Sequence, residues 1–569
     1  MARIRHLAIR NFRCIQSLNW FPSPGVNCFI GPGDSGKSSV LDAIDLCLGA
    51  RRTVTISDAD FYRLDVEQPI SISITIGELD DGLKSMEAYG LYLRTFNAQF
   101  GVIDDEPEAT GETVLTIEMT VGSDLEPTWT LVSERAKAQG QSRYLVWADR
   151  LRLAPNRIGA LADHNLAWRK GSVLNRLSDE RADASAALAR AAREARASFG
   201  EAAEAQLGQT LQIVTDTANA LGIVTGGKLK AMLDAHSVSF GGGTIALHGP
   251  DGVPLRGLGI GSTRLLLAGL QRKASAEATV ILIDELEFGL EPHRIVRLLG
   301  SIGAKEAQPP LQAFLTTHSP IVLRELSGDQ LVVLRKHQGV HHAVRVGQAD
   351  EVQGTIRTHP EAFLAPAVLV CEGASEIGLI RGLDLYSEGV GNQSLHAAGV
   401  SLVDAKGVTR IYGRARPFSL LGYRVATLRD DDVQPLPGDE AAFIGAGGSS
   451  FRWQPGRALE DELFASLNDV AVLALLAKAV EWLGDATVNA QLLSASNNTL
   501  GLAQCQAAVT PQSRLVMATA SKSKQNDWFK SVSRYEEIGR DIVGPNLQMA
   551  DAQFRSVIEA IWKWMTGAR

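Results

Sequence analysis

Two groups of residues in this chain have the types and spacing to act on phosphate. The first is Gly31-Pro-Gly-Asp-Ser-Gly36-Lys37-Ser38, a GxxxxGK[ST] loop between the apolar run VNCFI and the helix-forming run SSVLDAIDLCL. Gly31, Gly33 and Gly36 let backbone N–H groups wrap a polyphosphate. Lys37 reaches the β- and γ-phosphates, and Ser38, followed by Ser39, offers Mg²⁺ a hydroxyl. Further on, the apolar run 280–283 ends on Asp284-Glu285. An apolar strand with an acidic exit can be merely a buried strand. Downstream of such a loop it reads as a Walker B element, with Asp284 on the Mg²⁺ and Glu285 polarising the attacking water. ATP and Mg²⁺ are the ligands this group implies.

The second group is acidic. Glu372 and Glu376 follow the apolar run 368–371, and Asp430-Asp431-Asp432 follows the run 424–428. If both runs are strands of one parallel sheet, their carboxyl ends emerge at one edge, where ligands bind. Glu372, Asp430 and Asp432 then converge, and Glu376 lies one helical turn beyond Glu372 on the same side. Taken singly, each acid reads equally well as a solvated loop charge. Gathered in a cleft they call for cations. Mg²⁺ prefers oxygen ligands, Mn²⁺ is the alternative, and a pair of such ions clamps the attacking and leaving oxygens of a phosphodiester.

The elements that must position these residues are legible in outline. The chain has 569 residues, 45% hydrophobic and 21% charged, which is globular and long enough for more than one core. Its net charge of -8 does not announce a nucleic-acid partner, so any basic surface is local. The five cysteines form no CxxC pair, which argues against a disulfide framework or a cysteine zinc site and fits a reducing cytoplasm. The N-terminal MARIRHLAIRNFR has no apolar signal core. The apolar run 470–477 is broken by Lys478 and reads as a buried helix, so no membrane partner is expected. Residues 69–77 and 114–121 alternate like half-buried strands. Residues 178–221, rich in Ala, Arg and Glu, read as helices, either filler or a dimerisation insertion. From residue 276 strands and helices alternate, a new βαβ rhythm begins at Val368, and GGSS at 447–450 reads as a linker into a helical C-terminal part. The expected organisation is an α/β chain with an ATPase domain in two parts, 1–150 and 231–362. A helical insertion occupies 151–230, and the second phosphate site lies in 363–569.

Residues 4–13, IRHLAIRNFR, resemble the opening of the ABC-type ATPase heads of SMC and RecF proteins, and GLGIGSTR at 257–264 resembles their signature loop. That likeness implies nucleotide contacts from Arg13, Gly259 and Gly261, the latter two reaching a partner's site in a homodimer. Leu258 stands where the signature has serine, leaving Ser262 as the substitute hydroxyl. His318, in LTTHSP, falls where such ATPases place a γ-phosphate-sensing histidine. The segment from Glu372 to Asp432 resembles the Toprim fold, with Glu after the first strand and DxD after a later one. The order of the two parts resembles the OLD (overcoming lysogenisation defect) family, in particular its shorter anti-phage members of the Gabija type. The likeness is strongest at FIGPGDSGKSS, IDELEFGLEP, LTTHSP, VLVCEGASE and LRDDD. It implies a dimeric ATPase core, a Toprim domain with helical additions, and Mg²⁺- or Mn²⁺-dependent cutting of DNA. It further implies metal-site acids in the segment LEDEL, Glu460 and Glu462, and a catalytic lysine near WFK. Lys524 is the first candidate and Lys522 the second, with Lys530 better placed for the DNA backbone. The competing reading is a RecF-like ATP-gated DNA clamp without nuclease activity. A helicase partner, and a role in defence or repair, stay open.

Overall fold

The computed structural model describes residues 2–51, 54–108, 111–159, 254–273, 280–337, 339–523 and 527–567, with short pieces between 190 and 250. Most of the expected helical insertion therefore lies outside the described residues, as does Lys524.

The first sheet is built from β1 (Arg3–Phe12), β2 (Ile15–Trp20), β3 (Val26–Ile30), β4 (Ile70–Gly77), β5 (Arg94–Asn97), β6 (Val102–Asp104) and β7 (Glu112–Val121). It continues with β8 (Pro127–Leu131), β9 (Asn156–Ile158), β10 (Val280–Ile283), β11 (Gln312–Thr316), β12 (Leu331–His337) and β13 (Val340–Arg345). Among the described residues these thirteen run in the order β6-β5-β7-β4-β1-β2-β13-β12-β3-β11-β10-β9, with β8 on β7. The two alternating segments become β4 and β7, paired antiparallel with Ile72 opposite Met119 and Ile74 opposite Ile117. β12, β3, β11, β10 and β9 are mutually parallel. Strands covered on both faces read as largely apolar runs, and the central β3 and β10, buried at every residue, do. Cys28, Ile30, Ile281, Ile283, Ala313 and Leu315 face a core shared with Leu267, Leu298 and Leu323, which lie on three separate helices. Phe29, Leu282 and Phe314 face the opposite core, with Val40 and Ile44 of the helix Lys37–Leu48. β9 pairs with β10, so the ATPase sheet runs on past residue 150, into the segment expected to be helical insertion.

The second sheet is wholly parallel, in the order β15 (Val400–Asp404), β14 (Ala367–Cys371), β16 (Arg424–Arg429), β17 (Ser449–Arg452). Its central strand alternates between two cores. Val368 and Val370 join the core that also holds Ile281 and Leu323, whereas Ala367, Leu369 and Cys371 join the C-terminal helices. The second sheet thus shares a continuous core with the first. One expectation is corrected here. The GGSS stretch is not a linker, because Ser449 and Ser450 open β17 and pair with Ala426 and Thr427. A short polar edge strand carries no apolar signal that separates it from a loop.

The apolar run at 470–477 lies in the helix Asp469–Leu483, whose Val472, Leu475 and Leu476 are buried. No described helix is long and apolar enough to cross a membrane. Another helix, Val532–Ile538, lies against Ala374–Gly389 at a contact made by glycines. A Cβ on Gly382 would sit 2.1 Å from the Glu536 carbonyl oxygen and 2.8 Å from the Arg540 nitrogen, both backbone atoms that cannot swing aside. Gly382→Ala is therefore expected to cost about 1–3 kcal/mol through overpacking. A urea midpoint equal to wild type would show that this contact has slack.

Candidate functional site

The nucleotide loop leaves β3 with Gly31 at φ +140° and enters its helix through Gly36 at φ +90°. A Cβ on Gly36 would lie 2.9 Å from Cys14 Sγ, and one on Gly31 would lie 2.7 Å from the Leu334 carbonyl oxygen. Only glycine fits at either position, whereas Gly33 faces open space. The first turn of the helix Lys37–Leu48 has no side-chain cap, so its N–H groups point into the loop as an anion cradle. Lys37 is buried and folds back to donate to the carbonyls of Gly31 (3.1 Å) and Pro32 (2.8 Å). Burial lowers its affinity for the proton, and Asp34 and Asp284 oppose that.

β11 lies between β3 and β10, and its last residue ties the two motifs together. Ser38 Oγ donates to Asp284 Oδ1 at 3.0 Å, and Thr316 Oγ1 donates to the same oxygen at 2.5 Å. Thr316 Oγ1 also accepts the Glu285 N–H at 2.8 Å. Glu285 is exposed and holds φ +46°, a conformation uncommon for a non-glycine residue and found disproportionately where function demands it. Beneath it, fully buried Arg264 donates to the carbonyls of Asp284 (2.7 Å), Glu285 (2.9 Å) and Phe288 (2.9 Å). His318 is exposed, and its backbone N–H and the Thr317 hydroxyl both donate to the Glu287 carboxylate.

The other nucleotide-site candidates are placed differently. Arg13 is paired with Asp42, on the phosphate-loop helix, and with Asp60, so it braces that helix rather than reaching into the loop. Ser39 lies beside Cys14 Sγ at 3.7 Å. In the signature-like segment Gly259 is open. Gly261 is pressed on the Gly289 carbonyl, where a Cβ would come within 2.1 Å, so its smallness serves packing within the chain. Ser262 accepts from Arg294 at 2.9 Å. Leu258, Ile260 and Phe288 are exposed apolar residues around Gly259.

At the second sheet, β14 and β16 end side by side, and the Glu372 N–H donates to the Leu428 carbonyl at 2.9 Å. Glu372 Oε2 accepts the Asp430 N–H at 3.1 Å. Glu376, buried, caps its own helix by accepting the Gly373 N–H at 2.9 Å. Asp430 Oδ1 accepts the Leu459 N–H at 3.0 Å, which fixes the start of the helix Leu459–Ser466. That helix brings Glu460, whose Oε1 accepts from the hydroxyl of Tyr535 at 2.8 Å. Burial raises the proton affinity of Asp430 far above the carboxylate range, and Glu376, Glu372, Glu460 and exposed Asp432 add to it. Glu376 is raised by burial and by Glu372 and Glu460, and Glu372 by burial and Asp432. These carboxylates feel one another, but no three described acids, histidines or cysteines close round one point as a finished ligand set.

Asp431 turns the other way, to buried Arg429 at 3.1 Å and the Gly456 N–H at 3.1 Å, so the middle aspartate is structural. Glu462, expected as a metal ligand, is not in the cluster. It is fully buried and bonded to Ser466 Oγ (2.8 Å), the Gln454 N–H (3.2 Å) and Arg457 (3.4 Å). Residues two apart on a helix project to different sides, so Glu460 and Glu462 cannot both face Asp430. Lys522 is engaged by Asp461 at 2.6 Å, and Lys530 is exposed.

Residues 26–324, more than half of the chain, match the family described as "AAA domain, putative AbiEii toxin, Type IV TA system". The chain belongs to this AAA family. The OLD resemblance is borne out beside it, by 30% identity over 116 residues with an OLD nuclease of Thermus scotoductus. A DNA replication and repair protein RecF of Nitrosococcus oceani is 49% identical over 53 residues. The aligned stretches span 20% and 9% of this chain, and 21% and 14% of those relatives. A solved SMC head bound to the C-terminal winged-helix domain of ScpA superposes with TM-score 0.36 at 16% identity, covering 62% of this chain and 99% of that one. The SMC head of Thermotoga maritima gives 0.28 at 15%, covering 61% and 99%. The AAA domain, with its phosphate loop and its Asp284-Glu285 strand end on one mixed sheet, is a P-loop ATPase of α/β architecture.

Thr316, Arg264 and Glu287 lie within LTTHSP, GLGIGSTR and IDELEFGLEP, but those motifs alone do not assign them these tasks. The only signal for Thr316 was its position at the end of the strand before His318. In this AAA-family chain Thr316→Val keeps the shape but removes the hydroxyl shared by Asp284 and Glu285. It is expected to slow ATP hydrolysis roughly 10- to 100-fold, the usual cost of losing a metal ligand's outer partner. Nucleotide affinity should change little. Wild-type turnover in this variant would mean that Thr316 does not hold the acidic pair.

Proposed function

We propose that this chain is an ATP-regulated, divalent-metal-dependent DNA endonuclease or nickase, working as a homodimer. The observation that carries the reading is the carboxylate group of buried Glu376 and half-buried Glu372, Asp430 and Glu460, fed from two adjacent parallel strand ends and the helix Leu459–Ser466. Its donors are all oxygens, and burial together with the neighbouring acids raises the proton affinity of Glu376 and Asp430, an environment that suits Mg²⁺ or Mn²⁺. Arg429, the nearest guanidinium in sequence, is committed to Asp431, Glu440 and the Asp430 carbonyl.

Glu372, Glu376, Asp430 and Glu460 would hold the metal, with exposed Asp432 at the mouth. Bound divalent ions supply charge for a phosphodiester displacement. Toprim is the fold this reading gives to residues 363–569. Lys522 is held by Asp461 on the helix that carries Glu460, so Lys524 is the better candidate for a cation at the leaving oxygen. At the first site Lys37 and the loop amides hold the triphosphate of ATP. Ser38 and Asp284 hold its Mg²⁺, Glu285 orients water, and His318 faces the γ-phosphate. Exposed Leu258, Ile260 and Phe288 give the surface around Gly259 an apolar contact for a second copy. DNA is the substrate, and the setting is defence or repair in the cytoplasm, with or without a helicase.

The test is nicking of supercoiled plasmid in Mg²⁺ or Mn²⁺, with and without ATP. Glu372→Ala and Asp430→Ala should lose nicking by about two orders of magnitude or more while ATP hydrolysis persists. Glu285→Gln should bind ATP but hydrolyse it slowly. If both carboxylate variants cut like wild type, the nuclease centre lies elsewhere. If the wild type cuts under none of these conditions, the RecF-like clamp replaces this reading.

A further inference from the structure

Tyr535 lies 75 positions beyond Glu460 and is wholly buried, yet its hydroxyl reaches Glu460 Oε1 at 2.8 Å. A phenylalanine would fill the same space among Phe529 and the facing helix. A buried hydroxyl costs free energy unless it is bonded, so its one acceptor matters. The backbone makes unusual room for this contact. A Cβ on Gly378 would lie 2.6 Å from Tyr535 Cβ and 2.5 Å from the Val532 carbonyl, so only glycine lets the two helices approach this closely. The same C-terminal stretch grips the helix Leu459–Ser466 at other points. Lys522 pairs with Asp461, Trp528 meets Phe464 edge-on with ring centroids 6.0 Å apart, and Phe529 stacks on Phe464 at 6.2 Å. The Asp551 N–H donates to the Ser466 carbonyl at 2.7 Å. Backbone and rotamer of Glu460 are thus both set from the C-terminal layer.

We infer that Tyr535 is a positioning residue for Glu460: its hydroxyl occupies one carboxylate oxygen and leaves the other presented to a divalent cation. The inference rests on the reading of Glu460 as a metal ligand. Outer-shell donors of this kind are typically worth 10- to 100-fold in metal affinity.

The experiment is Mn²⁺ binding to the full-length, nucleotide-free chain, measured by isothermal titration calorimetry. Tyr535→Phe should weaken Mn²⁺ binding about 10- to 100-fold, with ATP hydrolysis and melting temperature near wild type. In a Glu460→Gln background the same substitution should add nothing, because the two residues act as one unit. Ile538→Val, which trims the core under Tyr535's own helix and makes none of the contacts to the helix Leu459–Ser466 named above, should bind Mn²⁺ like wild type. Wild-type affinity in Tyr535→Phe, additive losses in the double variant, or an equal loss in Ile538→Val would each overturn the positioning role alone. Wild-type affinity in Glu460→Gln would overturn the metal reading and this inference with it.

Discussion

Parallel strands end together, and both candidate sites in this chain depend on that constraint. In the first sheet β3, β11 and β10 are neighbours running one way, so the phosphate loop, Thr316 and Asp284 emerge at a common edge. In the second sheet β14 and β16 do the same for Glu372 and Asp430. Neither set of residues is local in sequence. Ser38 and Asp284 are 246 positions apart and meet at 3.0 Å, because one strand lies between their own. The cost of the arrangement is that both strands must be buried on both faces, which the alternating side chains of β14 achieve by serving two cores.

Charge is handled differently at the two edges. Around Asp284 the anion is balanced locally by two hydroxyl donors and by Arg157 at 3.6 Å. Around Asp430 the described neighbours include Glu372, Glu376, Glu460 and Asp432, and burial removes much of the water that would otherwise screen them. Four acids in such a place are costly to keep for stability alone. The structure spends effort to keep them there. A backbone N–H is aimed at Glu372, another at Glu376 and a third at Asp430, and a buried phenol is aimed at Glu460. The Asp431 between Asp430 and Asp432 is separated from the group by its ion pair with Arg429, so adjacent acids in the chain have opposite tasks.

Much of this was legible in the residues, and the boundary of legibility is physical. A phosphate loop is contiguous, so Gly31, Gly36, Lys37 and Ser38 declare themselves. Glu372 and Asp430 declare themselves less strongly, through apolar runs that end on acids. Glu460 and Glu462 could not be separated until the helix was in place, because which face meets Asp430 depends on the Leu459 N–H bond that starts the turn. β17 was hidden because two serines and a glycine pair resemble a linker until β16 lies beside them. Arg13 has the expected position in the chain, but its guanidinium is taken by Asp42 and Asp60. Tyr535 gave no signal, since a tyrosine in a helical stretch is ordinary until its hydroxyl is seen against a carboxylate.

Everything proposed for the second sheet requires its carboxylate group to bind a divalent metal. The most direct measurement is diffraction from crystals soaked in Mn²⁺, with anomalous data collected at the manganese edge. Manganese density is expected among Glu372, Glu376, Asp430 and Glu460, with Glu462 still bonded to Ser466 and Arg457. Saturated crystals with no anomalous peak at that group, or with manganese held by Glu462 or Asp431 instead, would contradict it.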